Sequence, residues 1–239
     1  MDNRLTESVD QLSKQIFISI GFPVGVISGP NDIDPFNLNE RFYWIRCGDK
    51  FHGVAWPAMD IWLRATVPAS GEQIKKHLFE NRSVESSDIW VKHLTELLEK
   101  KLIIPFEQNK LSSELLSFKV IAQGVGLGVN LEDPREYLIA HIDGSPVVGL
   151  DFAAYILWMY FDGVRTLKQA IKDAALFLQV AENTLTERVP SLLEVLLITR
   201  AVYLDIPAKE NAINPKIPAK KFFQNTSLLE HSSLNKVIP

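Results

Sequence analysis

The sequence predicts an α+β fold in which one unit is used twice in tandem, and three observations carry that prediction. Five residue pairs recur 96 positions apart: Gly48 with Gly144, Gly53 with Gly149, Trp62 with Trp158, Ser70 with Thr166 and Gln73 with Gln169. Within each copy, β-branched and aromatic runs come first and runs with 3- and 4-residue apolar spacing follow, so strands precede helices. The 239 residues, 46% hydrophobic and 23% charged, supply a core for one or two domains and exclude disorder over most of the chain.

Upstream, Phe17 to Gly25 loosely resembles Phe118 to Gly126 at a spacing of 101. Residues 41–47 with 51–56, and 136–142 with 146–150, read as β-hairpins, because Cys-Gly-Asp-Lys and Asp-Gly-Ser-Pro supply turn chemistry between them. The stretches 57–65 and 151–161 are apolar on nearly all sides, as expected of a helix buried at the centre of each copy. Ser70 with Gln73 and Thr166 with Gln169 have the spacing of capping boxes, so a second helix starts at each. Third helices are expected over 87–101 and 184–199, where Leu94, Leu97 and Leu98 answer Leu193, Leu196 and Leu197 at a spacing of 99. That shift predicts about three extra residues between the last two helices of the second copy. Pro190 is expected to restrict or kink its helix. The exits 102–105 and 201–204 read as strands that rejoin the hairpins.

A hairpin, three helices and a closing strand make a winged-helix-like unit. The expected organisation is repeat 1 over 1–106, a linker over 107–117, repeat 2 over 118–206 and a flexible tail over 207–239.

Charge and motifs narrow the function. Twenty-five Lys and Arg against 29 Asp and Glu give a net charge of −4, the wrong sign for a chain that mainly neutralises phosphates. Helix 87–101 balances Lys92, His93, Lys100 and Lys101 against Asp88, Glu96 and Glu99, and helix 184–199 offers only Arg188 before its end, so nucleic acid is not the expected partner. No apolar stretch is long enough to span a bilayer and the N-terminus lacks a signal-peptide pattern, which predicts a cytoplasmic chain. The single Cys47 forbids an internal disulfide and reads as buried filler. Gly124-Val-Gly126-Leu-Gly128 departs from the dinucleotide fingerprint, with Val129 at the sixth position and no helix behind it, so its glycines are expected to bend a strand or admit a close neighbour. Histidines 52, 77, 93, 141 and 231 are scattered; neither a metal site, a cofactor site nor an enzyme signature is read from the sequence.

An edge strand beside an apolar helix can receive an extended peptide through main-chain hydrogen bonds, with pockets selecting side chains. The expected groove pairs Pro146, Val147, Val148 and Gly149 with Val189, Leu192, Leu193 and Leu196; its counterpart pairs Phe51 and Val54 with Trp90 and Leu94. Residues 136–205, with the strand-turn-strand around Asp143-Gly144, the phrase Asp162-Gly163 ahead of Thr166-Leu167, and the terminal Leu192-Leu193, resemble the peptide-chaperone domain of pyrroloquinoline quinone biosynthesis, also called the RiPP recognition element. Residues 41–104 resemble it more weakly, since Ala65-Thr66-Val67-Pro68 replaces the Asp-Gly phrase. The resemblance implies a noncatalytic scaffold that binds the leader of a ribosomally synthesised precursor and presents it to peptide-modifying enzymes, as in bacteriocin or thiopeptide antibiotic biosynthesis, without a cofactor and with homodimerisation left open. The alternatives are a DNA-binding transcriptional regulator, a structural subunit of a larger assembly, or an enzyme of unrecognised type.

Overall fold

After a helical segment at residues 10–14, the first half runs through two strands that sequence periodicity had not separated: β1 (Ile16–Ser19) and β2 (Phe22–Val26). The computed structural model describes residues 10–26, 43–81, 83, 86–141 and 144–207, so the expected tail from 208 onward lies outside the described residues. Gly21 turns the chain between β1 and β2 at φ +94°, where a Cβ would lie 2.3 Å from the carbonyl oxygen of Arg46. The hairpin follows as β3 (Tyr43–Cys47) and β4 (Lys50–Val54), and β2 joins it to give an antiparallel sheet in the order β2-β3-β4.

Next come α1 (Trp56–Arg64), the two-residue β5 (Ala69–Ser70), α2 (Gly71–Glu80), α3 (Ser87–Glu99) and β6 (Ile103–Pro105). The exit β6 does not rejoin the hairpin, which corrects the expectation: it pairs with β1, which pairs with β5 on its other side, in a second sheet. Ile103 and Ile104 are buried there, because β1 supplies a partner that local sequence could not reveal. The segment expected as linker is partly helical, α4 (Ser113–Ser117), with Leu115 buried and its amide held by Ser112.

The second half repeats this plan as β7 (Lys119–Ala122), β8 (Val125–Val129), β9 (Tyr137–Ala140), β10 (Pro146–Leu150), α5 (Phe152–Met159), β11 (Asp162–Thr166), α6 (Leu167–Leu178), α7 (Glu182–Ile198) and β12 (Val202–Asp205). Its sheets, β10-β9-β8 and β11-β7-β12, have the same order as those of the first half, and β12 likewise leaves the hairpin for β7. The upstream strands correspond at 103 residues rather than 101, since Gly21 and Gly124 share φ +94° and each lies against a carbonyl of the following strand. Gly126 is a close-approach glycine, as a Cβ there would lie 2.2 Å from the Tyr155 hydroxyl.

Both capping boxes form. The Ser70 hydroxyl accepts from the Gln73 amide at 3.2 Å while Gln73 accepts back at 2.9 Å; for Thr166 and Gln169 the distances are 3.3 and 2.9 Å. The extra residues of the second half lengthen helices rather than a loop, α6 having 12 residues against 10 in α2, and α7 having 17 against 13 in α3. The helix α7 continues through Pro190, whose ring is buried.

One set of buried side chains runs through both halves, so the copies share a core. Trp90, Leu94 and Leu97 of α3 and Val189, Leu193 and Leu196 of α7 are fully excluded from solvent; burial of each is worth about 1.5–3 kcal/mol relative to exposure. Trp62 and Trp158 also occupy corresponding core sites, each donating its indole N–H to a carbonyl, Ile20 at 3.0 Å and Ala201 at 3.1 Å.

Candidate functional site

The order of the hairpin sheets leaves β10 and β4 on a border, each hydrogen-bonded on one side only among the described residues. β10 pairs with β9 with an irregularity between Pro146 and Val148, then leads directly into α5 through Asp151. Asp151 caps that helix, its carboxylate accepting from the Ala154 amide at 2.9 Å, and it also pairs with Arg188 on α7. Burial alone would raise the Asp151 carboxyl, but the Ala154 and Ala153 amides and the Arg188 guanidinium hold it below the usual carboxylate range.

This clamp fixes α7 beside the end of β10 and leaves a cleft of about 460 Å³ between them. Gly149 and Leu150 form its strand wall, Leu192 and Val195 its apolar helix wall, and Asp151 and Arg188 a charged end. Val195 is 42% exposed, so apolar surface on α7 is open to solvent there. An unpaired backbone and an apolar depression together can take an extended chain with one side chain inserted.

The structure brings together Gly149 and Leu192 of the residues expected from sequence, with Val148 partly buried against the core. Pro146 and Val147 lie in β10, and their side chains are outside what is described. Val189, Leu193 and Leu196 are corrected: their side chains are fully buried and seal the core under the cleft. The first-half groove is corrected likewise, because Val54, Trp90 and Leu94 are core, and Phe51, 57% exposed, lines a separate depression with Phe22 and Arg46. Sequence reading missed Asp151, Ala154, Glu187, Arg188, Ser191 and Val195 as wall residues; an aspartate just before an apolar helix was the available signal for the first.

The Cys47 thiol is pushed up to about 11, by burial first and by Asp205 second, which disfavours a nucleophilic thiolate. Among the described residues, no group of three or more His, Cys, Asp or Glu could hold a metal ion, and no helix is long and apolar enough to cross a membrane.

No family model and no curated protein matches this sequence. Among solved structures it is similar to PKMT2 from Rickettsia typhi, with 15% identity over 81% of this chain and 44% of that one at a TM-score of 0.32. The same protein in complex with AdoHcy gives 14% identity, 81% and 43% coverage and a TM-score of 0.31. This chain therefore spans less than half the length of those structures, and a likeness so distant assigns no activity here. The expectation of a chain that is not an enzyme is withdrawn, the structures matched being of PKMT2, one of them in complex with AdoHcy.

Proposed function

We propose that the second half of the chain captures an extended peptide as an added strand on β10, with one apolar side chain in the cleft beside α7. The observation that carries this reading is the adjacency of the β10 border to the cleft walled by Leu192 and Val195. Each half is a winged-helix-like unit whose third sheet strand, β1 or β7, comes from the N-terminal side. The order β5-β1-β6 around three helices supports that assignment. The peptide class is the leader of a ribosomally synthesised precursor, and capture raises its local concentration at peptide-modifying enzymes. The single cation of α7, Arg188, is already paired with Asp151 and stands against Glu182, Glu187 and Glu194, which favours a peptide over a phosphate backbone.

Selection from a displayed library of random linear peptides tests the reading. Sequences with an aliphatic residue flanked by β-formers are expected to enrich, and to lose at least tenfold in affinity when Ser191→Trp fills the cleft from the exposed face of α7. Failure to enrich any sequence, or enriched peptides indifferent to that substitution, would overturn it.

A further inference from the structure

A second depression lies where the two halves meet, away from β10. Its deeper part, about 420 Å³, is floored by Trp62, Leu197 and Val202 and flanked by Phe22 and Tyr203, with Gln123 and Arg200 at its edge. A shallower part of about 790 Å³ continues from it, sharing Phe22, Gln123, Arg200 and Tyr203 and reaching His141. The deeper volume lies in the range of small-molecule sites, and its make-up, aromatic and aliphatic walls with a few polar groups at one end, is what such sites have.

Among the polar side chains that line it are Ser19 and Arg200. Ser19 is only 8% exposed and lines the deeper part. Arg200, like Arg64, pairs with no carboxylate among the described residues, whereas Arg46, Arg135, Arg165 and Arg188 all do. The counterpart of Arg200 in the first half, Lys101, has the same left-handed backbone (φ 54° and 55°) but is engaged by Glu114 at 3.2 Å. Among the described residues the guanidinium of Arg200 thus has no carboxylate at the mouth of an apolar cleft, and a guanidinium binds a carboxylate through two parallel hydrogen bonds.

We propose that this junction is a binding site for a small aromatic carboxylate, its ring against the Phe22–Tyr203 pair, whose centroids lie 5.5 Å apart, and its carboxylate on Arg200 with Gln123. The Ser19 hydroxyl meets a polar substituent deeper in the cleft. This site is independent of the peptide cleft and stands or falls without it.

Titration of the full chain with 2-naphthoate, followed by calorimetry and by the indole N–H resonance of Trp62, tests the proposal against 2-naphthylmethanol and 2-naphthylmethylamine. Saturable binding of the carboxylate is expected, at least tenfold tighter than the neutral or cationic analogue. Arg200→Gly should abolish that preference while leaving the fold intact, because glycine suits the positive φ at this position better than arginine does. Arg200→Lys should restore part of it. Absence of saturable binding, equal affinity for the three probes, or an unchanged preference in Arg200→Gly would each overturn the proposal.

Discussion

The hairpin border of the first half and that of the second are built by the same chain path, and the second opens into the cleft beside α7. Leu192 and Val195 of α7 correspond at 99 residues to His93 and Glu96 of α3, which face each other at 3.5 Å, and Glu96 is bonded to Lys100 at 2.6 Å. The core positions beneath, Leu94 with Leu193 and Leu97 with Leu196, are identical in type and equally buried. The sheet side differs too: a Cβ on Gly53 would meet the Trp44 ring at 3.6 Å, whereas one on Gly149 would lie 2.8 Å from a carboxylate oxygen of Glu136. The two halves thus keep the residues that hold the fold and differ in those that line the border.

The largest expected effects test whether the halves stand together. Leu193→Ala and Leu94→Ala should each cost about 2–5 kcal/mol. Because one set of buried side chains spans both copies, each should lower a single urea transition in which fluorescence and circular dichroism coincide. Two separated transitions would show that the halves unfold independently.

Next, Ser191→Trp should weaken peptide capture at least tenfold, while Lys92→Trp at the corresponding place on α3 should leave it unchanged, as read by fluorescence anisotropy of a selected peptide. Equal losses would erase the distinction between the borders. Gly126→Ala places a methyl group against the Tyr155 hydroxyl and should cost about 1–3 kcal/mol. Removing that hydroxyl with Tyr155→Phe in the same chain should return part of the loss in a denaturant titration.

The smallest effects concern the helix that follows each border. Asp151 caps α5, whereas Ala55 occupies the same place before α1 with extended backbone and no side-chain bond. Asp151→Ala should cost about 1 kcal/mol and Ala55→Asp should add roughly 0.5–1 kcal/mol, both measurable by thermal denaturation. Since the Asp151 carboxyl is depressed in the folded chain, its contribution is fully present above the unfolded-state value and is lost as pH falls through the folded one. The difference in stability between the native chain and Asp151→Ala should therefore shrink on acidification below about pH 4.

Much of this architecture was legible in local chemistry. The turn glycines located the hairpins, and the Ser70 and Thr166 boxes located two helix starts to the residue. What was not legible depended on distant partners. β6 reads as a strand, but that it pairs with β1, some 85 residues earlier, is decided by packing rather than by its own residues. The cleft shows the same limit at finer scale: Leu192 and Leu193 are adjacent in one apolar stripe, and only the position of β10 makes the first a wall and the second core. The β8 glycines were read by elimination and correctly, because no helix follows them to present amides to an anion.

Amide hydrogen exchange of the chain with and without a selected peptide is the most direct test of strand addition at β10. The account predicts slowed exchange confined to residues 146–150 and to the face of α7 around 188–195, with β4 unaffected. Slowing at β4 instead, or no change along β10 at saturating peptide, would contradict it.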